Sequence, residues 1–300
     1  MTVVNRIDFD FLRVTFCGVR GSTPAPGHLF AKYGGNTSCV AITPADAEDP
    51  TLVLDAGTGL NRFSQDLEGR PFRGSILLGH LHWDHTHGLP FFPAGDNADA
   101  SVTLYQPEQG DPLQVLEKVI APPHFPITAK QLRGKWSFRS LEAGKHEIEG
   151  FSVQALDIPH AGGRTFGYRV SDGISTVAYL SDHGPIAFGE GPNGDGVFHE
   201  AACELAADAD LLIHDAQYTK NEFPSRAHFG HSTIDYAIEL GTRAGAAKVV
   251  LFHHDPSRTD DQIDAIVAVN QHHNVRVIAA AEGLSLDLRN RHHHTQAGAA

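Results

Sequence analysis

The nine residues HLHWDHTHG at 80–88 follow the apolar run Ser75-Ile76-Leu77-Leu78 and crowd four imidazoles and one carboxylate into the end of a strand. Such a crowd has to be answered by partner groups across a crevice, because rigid strands hold ligating side chains in place while the loops beyond them leave room for a ligand. The partners are in the same chain. VQALDIPH ends at His160, TVAYLSDH reaches Asp182, DLLIHDAQ reaches His214 and Asp215, and KVVLFHHDP reaches His253 and His254. One such ending is an ordinary helix cap or polar terminus. Five in one chain point to a common site beyond the strand ends.

The remaining pattern says what carries those ends. Strand-like runs fall at 12–16, 38–42, 51–54, 74–78, 102–105, 151–156, 165–170, 176–180, 210–213, 248–252, 276–279 and 285–288, and helix-like segments at 60–67, 112–120, 198–207, 232–244 and 259–271. Small β elements with hairpin connections fill the first third, and strand and helix alternate later. That mixture predicts an α/β sandwich flanked by helices and excludes a doubly wound dinucleotide fold. A chain of 300 residues with 41% hydrophobic content and no linker reads as one domain over 1–290, with a frayed tail at 291–300 whose His292-His293-His294 is solvated. No secretory h-region or membrane-length apolar run is found, so a cytoplasmic protein is expected. Cys17, Cys39 and Cys203 lack paired spacing and read as reduced thiols. A net charge of -13 without a Lys/Arg cluster argues against nucleic acid and membrane partners, but still admits a small anion at a locally positive site.

Spacing divides the motif in two. His80 and His82 are two apart in an extended segment and point to one side, so both can bind one ion. Asp84 and His85, at the turn into a helix beginning near His85, can face a second ion. The missing ligands come from the later strand ends, His160 for the first ion and His253 for the second. Asp182 can bridge them, one carboxylate oxygen to each. A donor set of imidazole and carboxylate suits two divalent ions, zinc first, with manganese or iron as alternatives.

HLHWDH with His160, Asp182 and His253 resembles the metallo-β-lactamase fold family. The ribonuclease Z-like phosphodiesterase branch is the nearer likeness, through GHS at His231 and the acidic Asp215, and the likeness runs from GVRGSTPAPG and YGGNTSC through LDAGTG to VLFHHDP. It implies a four-layer αβ/βα sandwich with a dinuclear metal site at the sheet edge. It also implies hydroxide attack on a phosphodiester, with His231 as general acid oriented by Asp215, and Asp84 serving the catalytic group as well as the metal. Asp55 would accept hydrogen bonds that hold the motif loop, Gly57 and Gly59 permitting its tight turn, and His214 would support the site from behind. Asn36, Thr37, Ser38 and Arg164 are the candidate substrate contacts. The stretch APPHFPI at 121–127 reads equally as a base pocket built on His124 and Phe125 or as a plain connection. His87 reads as structural, Trp83 as packing, and His183 and His254 as facing away.

The family's tRNA 3′-endonucleases grip tRNA with an arm inserted between the third histidine and the bridging aspartate. Here His160 and Asp182 are only 22 positions apart. The expected substrate is therefore a small anionic phosphodiester, a 3′,5′-cyclic nucleotide first, with tRNA 3′ processing second. Lactone, thioester or β-lactam hydrolysis at the same site would not need the Asp215–His231 pair. The di-iron redox members carry Glu where this chain has His82. The resemblance further implies a homodimer.

Overall fold

The computed structural model describes residues 11–190, 195–196 and 199–288, so the expected tail at 291–300 lies outside the described residues. The first sheet holds β1 (Leu12–Gly18), β2 (Cys39–Thr43), β3 (Leu52–Leu54), β4 (Arg73–Leu77), β5 (Ser101–Pro107) and β6 (Lys135–Leu141). The second holds β7 (Gly144–Ile148), β8 (Phe151–Asp157), β9 (Phe166–Ser171), β10 (Thr176–Leu180), β11 (Leu211–Asp215), β12 (Lys248–Phe252) and β13 (Arg276–Ala279). A last strand, β14 (Ser285–Leu288), returns to pair with β1, giving orders β14-β1-β2-β3-β4-β5-β6 and β13-β12-β11-β10-β9-β8-β7. The helices are α1 (Gly59–Asp66), α2 (Trp83–Thr86), α3 (Pro112–Leu116), α4 (His199–Ala206), α5 (Phe223–Arg226), α6 (Ile234–Arg243) and α7 (Asp260–Val269).

The period-2 alternation of strands explains the layers. Val40 and Ile42 of β2 point inward with Val14, Phe16 and Leu54, meeting Val153, Val177, Tyr179 and Ile213 of the other sheet. Cys39 and Ala41 point outward and pack on Leu60 and Phe63 of α1. On the far side Ala178, Leu180, Leu212 and Val249 pack under Leu205 of α4 and Ala237 and Ile238 of α6. Central strands are buried on both faces and therefore read as unbroken apolar runs. The result is the expected four-layer sandwich, with its core between the sheets. All three cysteines are free thiols, Cys17 and Cys39 buried and Cys203 half-buried.

Two features differ from the sequence expectation. In the first sheet, hairpin-like pairing of consecutive strands is confined to β1, β2 and β3, because β3, β4, β5 and β6 all run parallel. Strands β6 (KWSFRSL) and β7 (GKHEI) were not expected at all. Each is one edge of its sheet, β14 and β13 being the other two, and edge strands can carry charged residues that blunt aggregation and erase the apolar signature. In the second sheet β10, β11, β12 and β13 also run parallel, so Asp182, Asp215 and His253 all emerge at the same, C-terminal end of their strands.

Candidate metal centre

The chain past β4 is extended through His82, which has φ -64° and ψ 159°, and then turns directly into α2. The helix thus starts at Trp83, two residues before the expected position, and places Asp84 and His85 in its only turn. Ligand atoms of His80, His82 and His160 lie within 4.8 Å of one another, and so do those of Asp84, His85, Asp182 and His253. Asp182 stands between the two groups. Its Oδ1 is 3.9 Å from His80 Nε2 and 3.7 Å from His160 Nε2, whereas its Oδ2 is 2.9 Å from His85 Nε2 and 3.3 Å from His253 Nε2. Each oxygen addresses one group, so all seven candidate ligands come together in the two half-sites read from their spacing.

Two observations test whether a cation fits. Both ring nitrogens of His80, Nε2 of His85 and Oδ2 of Asp182 are buried without a hydrogen-bond partner, a costly arrangement unless something else satisfies them. The ligands are also braced from behind. His85 Nδ1–H donates to Asp55 Oδ2 (2.7 Å), His160 Nδ1–H to the Gly230 carbonyl (2.7 Å) and His253 Nδ1–H to Gln217 Oε1 (3.0 Å), which leaves each Nε2 on the side of Asp182. The donor set contains nitrogen and oxygen only, and it suits a divalent metal ion.

Electrostatics agree. Burial, then neighbouring imidazoles, push His80 well below the usual histidine range, and burial also lowers His82 and His160, favouring the neutral, ligating form. Burial alone would raise Asp182, but His253, His85 and His80 hold it well below the carboxylate range; His85 and His253 do the same for Asp84. Against its own burial, His85 is held well above the usual value by Asp182, Asp84 and Asp55. In the metal-free protein His85 is thus the cation among the carboxylates. Metal binding must displace its Nε2 proton, so apparent metal affinity should fall as pH falls, with proton release on loading. Calorimetry in buffers of differing ionisation enthalpy measures that release; a heat independent of buffer would contradict it.

The supporting residues are strained. Ser22, Asp55 and His253 have φ of 62°, 62° and 57°, a left-handed backbone that non-glycine residues rarely adopt and that gathers at functional sites. Ser22 N–H donates to Asp84 Oδ2 at 2.7 Å. Asp55 also accepts from Gly79 N–H (2.7 Å), the Tyr179 hydroxyl (2.7 Å) and the Ser181 hydroxyl (3.1 Å). Gly57 lies in the bend into α1, its carbonyl accepting from Leu60 N–H at 3.0 Å, while Asp55 rather than either glycine takes the left-handed conformation. Gly57 and Gly59 permit close approach, since a Cβ on Gly57 would lie 2.3 Å from the Asp84 carbonyl and one on Gly59 would lie 2.7 Å from Gly18 N. Asp55→Ala should lower metal affinity roughly 10–100-fold. It should also destabilise the fold by about 1–3 kcal/mol for each buried donor left unpaired. Metal titration and thermal melting check the two effects separately, and an unchanged affinity would remove Asp55 from the support of His85.

His231 lies against the ligand cluster. Its Nδ1 is 2.8 Å from Asp215 Oδ2 and 3.7 Å from Asp182 Oδ1. Burial lowers its basicity, but Asp215, by charge and hydrogen bond, followed by Asp182 and Asp84, raises the pKa to about 9. Asp215 is fixed by the backbone N–H groups of Gln217 (3.0 Å) and His183 (3.3 Å). His214 Nε2 meets His183 Nδ1 at 3.0 Å behind the dyad, and His254 turns away to the Ala280 carbonyl (2.9 Å). A cavity of about 350 Å³ opens over the centre, lined by Ser22, Leu81, His82, Trp83, Asp84, Asp182 and His231.

The residues expected to contact substrate, Asn36, Thr37, Ser38 and Arg164, do not line the cavity over the centre. Thr37 and Ser38 are fully buried, and Thr37 and Thr58 exchange hydrogen bonds at 2.9 Å that tie this loop to the one carrying Asp55. Asn36 Nδ2–H donates to Glu282 Oε2 (3.0 Å). Arg164 forms a two-pronged pair with Asp157 at 2.7 and 3.0 Å. The side chains of Asn36, Thr37 and Arg164 are thus engaged within the fold, whereas the buried Ser38 hydroxyl has no hydrogen-bond partner. Trp83 and His87 depart from the packing and structural roles read for them, because both are exposed. Ser22 and Gln217 escaped sequence reading since neither residue type is a usual ligand; their only trace was membership of GVRGSTP and DAQYTK.

A two-sheet sandwich with this donor set defines a metal-dependent hydrolase. Residues 51–254 match the β-lactamase superfamily domain, and the chain belongs to that family. It is 27% identical over 293 residues to a protein named ribonuclease Z from Synechococcus sp. (strain WH7803), covering 82% of this chain and 85% of that one. Among solved structures, human tRNase Z, short form, superposes with a TM-score of 0.64 at 20% identity, over 92% of this chain and 99% of that one. A diphosphatase of the PhnP family gives 0.68 at 17% identity, over 93% and 98%. Both share the fold. Among the described residues no helix is long and apolar enough to cross a membrane.

Proposed function

We propose that the protein hydrolyses phosphodiesters, with His231 donating the proton that the leaving oxygen requires. The observation that carries this reading is the Asp215–His231 pair lodged against the ligand cluster. Nδ1–H is committed to Asp215, so the proton for the substrate would sit on Nε2, and His231 lines the cavity over the centre. Among the carbonyl substrates, a thioester, whose thiolate leaves readily, has no comparable need for an added acid. His80, His82, His160 and Asp182 would hold one divalent ion, and Asp84, His85, His253 and Asp182 the other, zinc being the first candidate. When bound, such ions supply Lewis acidity and activate water as a nucleophile at neutral pH. Asp55, Asp84, Asp182 and Asp215 are four buried carboxylates, whose charge two divalent ions balance. A protonated His231 then supplies the local positive charge that receives an anionic substrate.

The relatives named ribonuclease Z favour an RNA phosphodiester as the substrate, the reading that the sequence had placed second. A 3′,5′-cyclic nucleotide is the second reading. It draws on the compact hairpin of β9 and β10 that fills the interval between His160 and Asp182 without an inserted arm, and on the net charge of -13. A homodimer and a cytoplasmic setting accompany either. Metal-loaded protein offered 3′-extended tRNA alongside cyclic AMP and cyclic GMP, with products separated by chromatography, decides between them. Hydrolysis of none of these, nor of simple phosphodiesters, would overturn the phosphodiesterase reading itself.

A further inference from the structure

Trp83 stands between the ligands His82 and Asp84, yet its ring is 64% exposed. The other tryptophan shows what this fold does with an indole that serves packing: Trp136 is half-buried, and its Nε1–H donates to the Gly95 and Arg133 carbonyls at 3.0 and 2.9 Å. Trp83 is instead backed by His87, one turn along, whose imidazole lies nearly parallel to the indole, with centroids 5.4 Å apart and planes at 17°. The indole edges the cavity over the metal centre and also a second hollow of about 290 Å³ bounded by His87, Lys118 and His124. His87 and His124 continue into a third hollow of about 250 Å³. It is walled by Phe91, itself 60% exposed, and Phe125, whose rings meet edge to face at 5.6 Å. A trough of aromatic faces and cationic or titratable tips thus leads away from the centre.

We propose that this trough is a nucleobase subsite in which Trp83, backed by His87, stacks the base attached through its sugar to the phosphodiester held at the metals. The proposal rests on the phosphodiesterase reading and adds to it the residues that would hold the substrate's base. Position is the first argument: a ring fixed between two ligands can meet only what is joined directly to the group bound there. The second is preorganisation, because an indole held by a short helix and a stacked imidazole loses little conformational freedom on binding. Charge is the third. Lys118 is exposed beside the hollow, where a phosphate flanking the base would lie; a stacking face with a neighbouring cation is how proteins hold single nucleotides. Stacking tolerates any base, since each has a π-face, so the subsite selects nucleotides over plain phosphodiesters without a strong base preference.

Two measurements test it. In Trp136→Phe protein Trp83 is the sole tryptophan, and AMP should quench its emission saturably while ribose 5-phosphate should not. Thymidine 5′-p-nitrophenyl phosphate and methyl p-nitrophenyl phosphate release the same leaving group and differ in the nucleoside. Trp83→Ala, checked for retained metal, should reduce the preference for the nucleoside ester, as the ratio of kcat/KM values, about 5- to 30-fold. Trp83→Phe should keep most of it. Equal quenching by both phosphates, or a ratio unchanged in Trp83→Ala, would overturn the subsite even if hydrolysis is brisk. Quenching by AMP alone, in a protein that hydrolyses no phosphodiester, would support the subsite and reject the reaction.

Discussion

Asp182→Ala should strip metal from the protein and abolish hydrolysis. Asp182 is 1% exposed and the only described side chain with one oxygen toward each ligand group, so its removal weakens both half-sites together. Losing a residue that merely orients a ligand typically costs 10–100-fold in affinity or activity, and losing a shared ligand should exceed that. Asp182→Asn is the sharper variant. It keeps the shape, but it withdraws the negative charge and presents an amide that can place N–H groups toward His85 and His253. Metal analysis after gel filtration, with circular dichroism to confirm folding, measures the outcome. Full activity in either variant would refute the bridging role.

The second large effect is expected at His231. His231→Ala should retain its metal but turn over substrates with alkoxide leaving groups about 10²–10⁴-fold more slowly, the usual range for a lost general acid. A p-nitrophenyl ester, whose leaving group departs without a proton, should be far less sensitive. Equal loss on both substrates would remove proton donation from the account. The pH dependence has a definite sign. The imidazole is raised to about 9 in the metal-free protein, chiefly by Asp215 working against burial, and bound cations would draw it lower. The acid form is present below that pKa, so turnover should decline as pH rises through it, and this alkaline limb should vanish in His231→Ala. In the metal-free protein the His231–Asp215 pair stabilises the fold fully below the unfolded pKa of about 6.5. That contribution is lost as pH rises through about 9.

How much of this was legible in the sequence depended on whether a residue's role is written in its type. Histidine and aspartate at strand ends have few other reasons to cluster, so the seven candidate ligands and the His231–Asp215 pair, which the structure brings together, could be named from position and resemblance. Central strands were legible because burial on both faces leaves an unbroken apolar run. The edges β6 and β7 were not, since half their surroundings are solvent and their residues answer to solubility. Backbone roles left no mark either: the left-handed φ of Ser22 and His253, the Gly230 carbonyl behind His160, and the close approaches at Gly57 and Gly59 exist only in three dimensions. The role of Thr37, whose hydroxyl meets Thr58, was hidden for a related reason. A polar loop rich in glycine looks the same whether its hydroxyls await a ligand or close on a neighbouring loop. Trp83 misled in the opposite direction, because a large apolar ring is buried by default and only its surroundings reveal that this one is not.

His80, His82, Asp84 and His85 leave the first sheet after β4, whereas His160, Asp182 and His253 leave the second after β8, β10 and β12. Neither sheet owns a whole ion site. Each half-site takes donors from both, so an ion bound there is a rivet through the two plates of the sandwich. The free energy of loading is therefore shared with the cohesion of the plates, and a sliding of one against the other by a fraction of an ångström would open both coordination shells at once. The apolar layer between the sheets, far from any reacting atom, thereby becomes the part of the molecule that sets the tolerance of the catalytic geometry.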